Sequence, residues 1–371
     1  VTNSASSPSS PSAAPSTPGA TGPSYLPAGE QGDRSQVPWQ LVGAGWTLAQ
    51  WTGSSQVSDN GLANPIRDQA ESIFLVDPVG GRYLITGFAS GDQWTLQDWS
   101  ADGQIALLRG PGSEVWSKVA ILDLSTGQLQ ALPVPGGLTA ESLLAGQDGR
   151  SVLVDSAGGF QQLSDTGEQQ LRFPRTVAGN TGLEHATISP DRGLIAFGTD
   201  KSMVLLTASA TFVRTLDGPG LGTGCRPLRW SSDQQLIAQC DSGYWLVPDS
   251  GAAPTKLSDR SAAGSQVQDA MPVGNVVLIA VGTSCADSGL ASAEPGGQPT
   301  PVQLGPAAGA GGVRFVQAGP STVQLLSRGG CGYAATLTSR DIDTSTDTTL
   351  LGDQVNGGGV IAAVGYHGTV G

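Results

Sequence analysis

Histidine is nearly absent from this 371-residue chain, which holds only His185 and His367. A metal centre assembled from several imidazoles is thereby excluded, and no H-E-x-x-H motif occurs. Lysine is almost as scarce: Lys118, Lys201 and Lys256 stand among 18 cations, against 31 acidic residues. The net charge of −13 makes nucleic acid and anionic membrane surfaces poor partners for the whole molecule, because their phosphates are repelled. No run of 18 apolar residues occurs, so no segment reads as a membrane-spanning helix. The N-terminus lacks the charged and apolar regions of a signal peptide. No G-x-S-x-G elbow marks a hydrolase and no G-x-x-x-x-G-K-[ST] loop marks a nucleotide site, so no cofactor is implied.

Glycine is abundant, with 54 residues, and proline contributes 24. That composition suits many tight turns between short strands and argues against a helical protein. Residues 1–24 are built almost entirely from Ser, Pro, Ala, Thr and Gly, a composition too polar to offset its ordering entropy by burial. They read as a flexible tether beyond a removed signal, lipid anchor or membrane helix, or as a tail without a role. Residues 1–36 are accordingly expected as a disordered tether and residues 37–371 as the folded domain.

One short phrase recurs through the middle of the chain. It appears as Trp99-Ser100-Ala101-Asp102-Gly103, as Gln147-Asp148-Gly149, as Ser189-Pro190-Asp191-Arg192-Gly193 and as Trp230-Ser231-Ser232-Asp233. Each copy is followed by an apolar run. The aspartates stand 46, 43 and 42 residues apart, the spacing of β-propeller blades, each a four-stranded antiparallel meander. Asp-Gly suits the two-residue turn between a blade's inner and second strands, where positive φ is often needed. The expected fold is an all-β, seven-bladed propeller, with six or eight blades the nearest alternatives. Blades two to seven fall at about 92–133, 139–172, 183–216, 225–257, 267–304 and 311–351. Blade one has only three strands between residues 45 and 88. A C-terminal strand near 359–365 is expected to close the ring and remove an open edge.

These phrases resemble the Trp-Ser-Pro-Asp-Gly-x-x-Ile-Ala-Phe repeats of TolB-like propellers, a family found largely in bacterial envelopes. The resemblance covers most of residues 92–257 and fades in the last two blades. It implies a fold and an envelope setting, since the family includes interaction modules, peptidase accessory domains and enzymes. The chain has the Ser/Pro tail where TolB itself carries an α/β domain, so TolB's partners are not implied.

On the meander, all four cysteines project to one face. The pairs Cys225–Cys240 and Cys285–Cys331 are expected, out of three connectivities. Buried thiols are one alternative. A zinc site is another, although no close C-x₂₋₄-C pair occurs. Disulfides point to an oxidising, extracytoplasmic compartment, either secreted or anchored at the envelope.

Other motifs read as scaffold. The run Gly218, Gly220, Gly222 and Gly224 is expected as a flexible loop, and Asp341–Asp347 as a solvated turn in place of a calcium loop. Trp99 and Trp230 are expected between blades, and for Trp116 and Trp245 packing in the core is favoured over display at a binding surface. The longest loop of the cysteine face, about Gly53–Glu71, carries Asp59, Asn60, Asn64, Arg67 and Asp68. Arg109, Arg175, Arg226 and Arg328 are expected on the same rim, suited to an acidic partner, and His185 lies near the channel. The function these features suggest is a non-enzymatic extracytoplasmic propeller with a face for a protein or a cell-wall glycan. The alternative is a hydrolase or lyase at the channel mouth, using Glu184 and His185 as acid and base, with Glu141 as a second carboxylate.

Overall fold

The computed structural model of the chain describes residues 24–53, 70–89, 92, 94–110, 118–133, 138–144, 151–156, 159–232, 234–262, 265–282, 288–303, 311–328, 335–352 and 358–366. These form seven antiparallel four-stranded blades, and no α-helix occurs among the described residues. The inner strands of blades two to seven are Thr95–Trp99, Leu138–Leu144, Glu184–Ile188, Arg226–Ser232, Ser265–Val273 and Gly311–Ala318. In blade one, Thr47–Thr52, Glu71–Val76 and Arg82–Phe88 are joined by Gly359–Gly365 as the inner strand. The C-terminal closure expected from sequence is therefore present. A single bridge from Val360 to Ala335 also ties this strand to blade seven.

The repeated phrase has a local cause. Ser100 Oγ donates to Asp102 Oδ1 and accepts from the Ile105 amide, while Asp102 Oδ1 accepts from the Gln104 amide. Ser189 and Asp191 repeat the arrangement with the Leu194 and Gly193 amides. Serine and aspartate thus supply the acceptors that a tight turn leaves short.

Each second strand is apolar on both faces because neighbouring blades cover both. Ala106 and Leu108 pack towards blade one, whereas Ile105 and Leu107 pack towards blade three. The core therefore lies between blades, as alternation along a strand requires. Trp46 and Trp99 are fully buried and Trp230 nearly so.

Two expectations need adjustment. Gln31–Asp33, placed in the tether from sequence, forms a strand parallel to residues 82–84 at the outer edge of blade one. Gly32 sits close beneath the side chains of Leu26 and Tyr83, on which a β-carbon there would press. Trp245 is buried: its indole NH donates to Ser242 Oγ, and Gly220, with φ of +89°, lies against its ring. The glycine run is thus packed against a tryptophan, where it was expected to be loose. Trp116 lies outside the described residues.

Candidate functional site

In each blade the inner strand starts at one face and the second strand returns to it. This open face receives the connections between blades, whereas the Asp-Gly turns occupy the opposite face. Cys225 and Cys240 sit at the open face and form a disulfide. Cys285 and Cys331 lie outside the described residues.

At the open face, blades five to seven and the closing strand enclose a cleft of about 470 Å³. Leu228, Val313, Leu326 and Ile361 supply apolar walls, and Arg229, Arg314, Arg328, Gln268 and Asp269 supply polar ones. The register of each inner strand shifts here, between Pro227 and Arg229, Val267 and Asp269, and Gly311 and Val313. Such bulges re-aim side chains that a regular ladder would direct elsewhere. Arg229 is paired with the Asp269 carboxylate, which also accepts from the Ala270 amide at 2.8 Å. Neither Arg314 nor Arg328 has an ion-pair partner among the described residues. Burial lowers the pKa of Arg328, and the like charge of Arg314 adds to the effect.

Blades two to four present the opposite sign. Glu141 lies on the inner strand of blade three, Asp155 at the open-face end of its second strand, and Glu184 and His185 at the start of the inner strand of blade four. The Glu141 carboxyl is raised to about 7, chiefly by burial and also by the nearby Asp155 charge, with Arg109 opposing. Asp155 is raised by burial too, with Glu184 raising and His185 lowering it. His185 has φ of +49°, inside a break in the ladder between Glu184 and Thr187. A left-handed non-glycine residue in a strand is uncommon and directs its ring away from the regular course. Chemically, this half gathers a carboxyl raised by burial, at Glu141, and an exposed imidazole, at His185, each within electrostatic reach of Asp155.

The site residues expected from sequence are distributed as follows. Arg109 and Arg328 end second strands at the open face, Arg328 inside the cleft. Arg226 begins the inner strand of blade five and donates to Gln239 Oε1 at 2.6 Å. Arg175 is exposed in the connection between blades three and four. Arg109 and His185 join the acidic half. Asp59, Asn60, Asn64, Arg67 and Asp68 lie outside the described residues. The sequence reading missed Arg229, Asp269 and Arg314. Their signal was a charged residue just before the hydrophobic end of an inner strand: Asp98-Trp99, Arg229-Trp230, Asp269-Ala270-Met271 and Arg314-Phe315.

The acidic residues give the fold a testable pH response. Glu71 is buried, accepts from Gln50 Nε2 and is lifted by burial to about 7. Glu71 and Glu141 therefore bind protons more readily folded than unfolded, where 4.5 applies. Their contribution to stability is complete below 4.5 and is lost as pH rises through about 7. Thermal unfolding at pH 5 and pH 8 should give the higher Tm at pH 5, and Glu71→Gln should remove part of that difference. An unchanged difference in the variant would show that Glu71 does not titrate as described.

No family model matches the chain, and no match to a curated protein was found. Solved structures do resemble it. An oligogalacturonate lyase from Vibrio parahaemolyticus superposes with a TM-score of 0.51 at 12% identity, covering 85% of this chain and 89% of that one. A prolyl endopeptidase gives 0.50 at 13% identity, over 82% of this chain and 50% of that one. TolB from Acinetobacter baumannii gives 0.44 at 12%, over 86% and 66%. The likenesses to the lyase and the endopeptidase are of fold alone, and they agree with the propeller described above.

Proposed function

We propose that this chain is an extracytoplasmic binding propeller whose partner, a protein or a cell-wall glycan, docks on the open face at the channel mouth. The observation that carries the proposal is the charge division of that mouth. Arg314 and Arg328, without an ion-pair partner among the described residues, line a cleft on one side, and clustered carboxylates occupy the other. Charges gathered without partners destabilise a fold and suit complementary recognition. The Cys225–Cys240 disulfide supports an oxidising compartment.

An array of peptides and envelope glycans tests the reading with the full chain. Arg175→Glu/Arg226→Glu alters exposed residues of the open face, and Gln128→Lys/Glu168→Lys alters exposed residues of the turn face. At least tenfold weaker binding is expected from the first variant only. Loss from the second alone, or no binding of the wild type, would overturn the proposal.

His185 supports a second reading, hydrolase or lyase chemistry at the acidic half, because a left-handed bulge places it beside Glu184 and Asp155. Product formation from an array member that His185→Ala abolishes, with binding intact, would favour that reading.

A further inference from the structure

Within the binding face just proposed, and resting on that reading, we infer that the cleft between blades five, six and seven is a carboxylate subsite, with Arg314 and Arg328 as the paired cations that grip it. The positions of the two residues make the case. Arg314 stands on the inner strand of blade seven and Arg328 at the end of the adjacent second strand. Both line the cleft, Arg314 exposed and Arg328 half-buried, and no carboxylate among the described residues pairs with either.

The two described arginines that are buried, Arg192 and Arg340, each meet an aspartate, as does Arg229 within the cleft. In a chain with 31 acidic residues and 18 basic ones, two neighbouring guanidiniums with no acid paired to them among the described residues are not explained by shortage of partners. Their mutual repulsion is relieved by an anion between them.

The neighbouring groups narrow the anion. Arg229 is committed to Asp269, so the described lining of the cleft holds three guanidiniums and one carboxylate. The Asp269 charge weakens the pull on a multiply charged anion, whereas planar guanidinium forks match the two oxygens of a carboxylate. Gln268 is exposed beside them and offers an amide to a hydroxyl or carbonyl of the same ligand. The described residues that line the cleft include no aromatic ring on which a neutral sugar could stack. A volume of about 470 Å³ fits a small ligand or the end of a chain, not a broad protein surface.

Titration calorimetry on the full chain at low salt tests the subsite with D-glucuronate and N-acetyl-L-glutamate as alternative carriers of the group. D-glucose is the neutral control and inorganic phosphate the competing anion. One or both carboxylates should bind with a Kd of about 1 mM, ordinary for ligands this small. Arg328→Gln and Arg314→Gln should each weaken that binding at least tenfold with Tm unchanged, while D-glucose shows none. Which carrier binds identifies the ligand as saccharide or peptidic. Tighter binding of phosphate overturns the carboxylate assignment. Equal binding of glucose, no binding of either carboxylate, or indifference to both variants overturns the subsite itself. Should the carboxylates fail while Arg175→Glu/Arg226→Glu still abolishes array binding, the binding-face proposal stands and only the subsite falls.

Discussion

Arg192→Leu is expected to cost about 3–5 kcal/mol of stability, read as a lower midpoint in urea at an unchanged slope. Arg192 and Asp98 are both about 5% exposed and form an ion pair between blades four and two. The same guanidinium donates to the carbonyls of Leu143, at 3.1 Å, and Trp99. Asp98 further accepts from the Trp99 and Leu143 amides and from Ser142 Oγ, each at 2.8 Å. Leucine in place of Arg192 leaves that carboxylate buried without its cation. The cost arises chiefly from this stranded charge, so Asp98→Asn in the same chain should recover a substantial part of it. Arg192 also has φ of +61°, at the turn position where Gly103 has +72°. Arg192→Gly should therefore cost less than Arg192→Leu, by about 1 kcal/mol, because glycine tolerates that backbone. A loss below about 1 kcal/mol for Arg192→Leu would show that the pair is not what joins these blades.

The same residue shows where sequence reading reaches its limit. Ser189-Pro190-Asp191-Arg192-Gly193 is legible as a blade turn, and its departure from the Asp-Gly pattern is visible in the letters alone. The reason for the departure is Asp98, 94 residues away, and no local rule connects the two. Blade count, strand order and C-terminal closure were readable because they follow from spacing and from alternation along each strand. The burial of Trp99 and Trp230 was readable for the same reason. The carboxylates at 141 and 184 and the cations at 109 and 328 could be assigned to the open face from the meander. Their division into acidic and basic halves could not, because it depends on which blades adjoin around the ring. The Arg314–Arg328 juxtaposition depends further on bulges in individual strands. The glycine run at 218–224 was misread for a related reason. Positive φ values bring Gly220 against the Trp245 ring, and composition alone reads such a run as loose.

Removing residues 359–371 is expected to prevent the ring from closing, giving a chain that aggregates or unfolds below the wild-type Tm by well over 10 °C. Thr47–Thr52 would lose its partner along the full register from Gly365 to Gly359, exposing a long apolar edge. Val360 and Ile361 would leave the core, and blade seven would lose the bridge at Ala335. The closing strand is also fastened at its end. Tyr366 packs edge-on against Trp99 with ring centroids 5.1 Å apart, its hydroxyl donates to Ala101 O at 2.7 Å, and its amide donates to Trp46 O at 3.0 Å. One terminal tyrosine thus links the closing strand to the turn of blade two and to the start of blade one. Tyr366→Phe should cost about 1 kcal/mol, the net worth of one hydrogen bond, and Tyr366→Ala about 2–4 kcal/mol as the packing is lost as well. If closure is the cause of the truncation phenotype, a synthetic peptide spanning residues 358–366 should restore Tm in a concentration-dependent way, since it binds only the folded ring. The same peptide with Tyr366→Ala should need a higher concentration for the same shift. Full stability of the truncated chain without the peptide would mean that the six remaining blades and an open first blade suffice, and the C-terminal strand would lose its structural role.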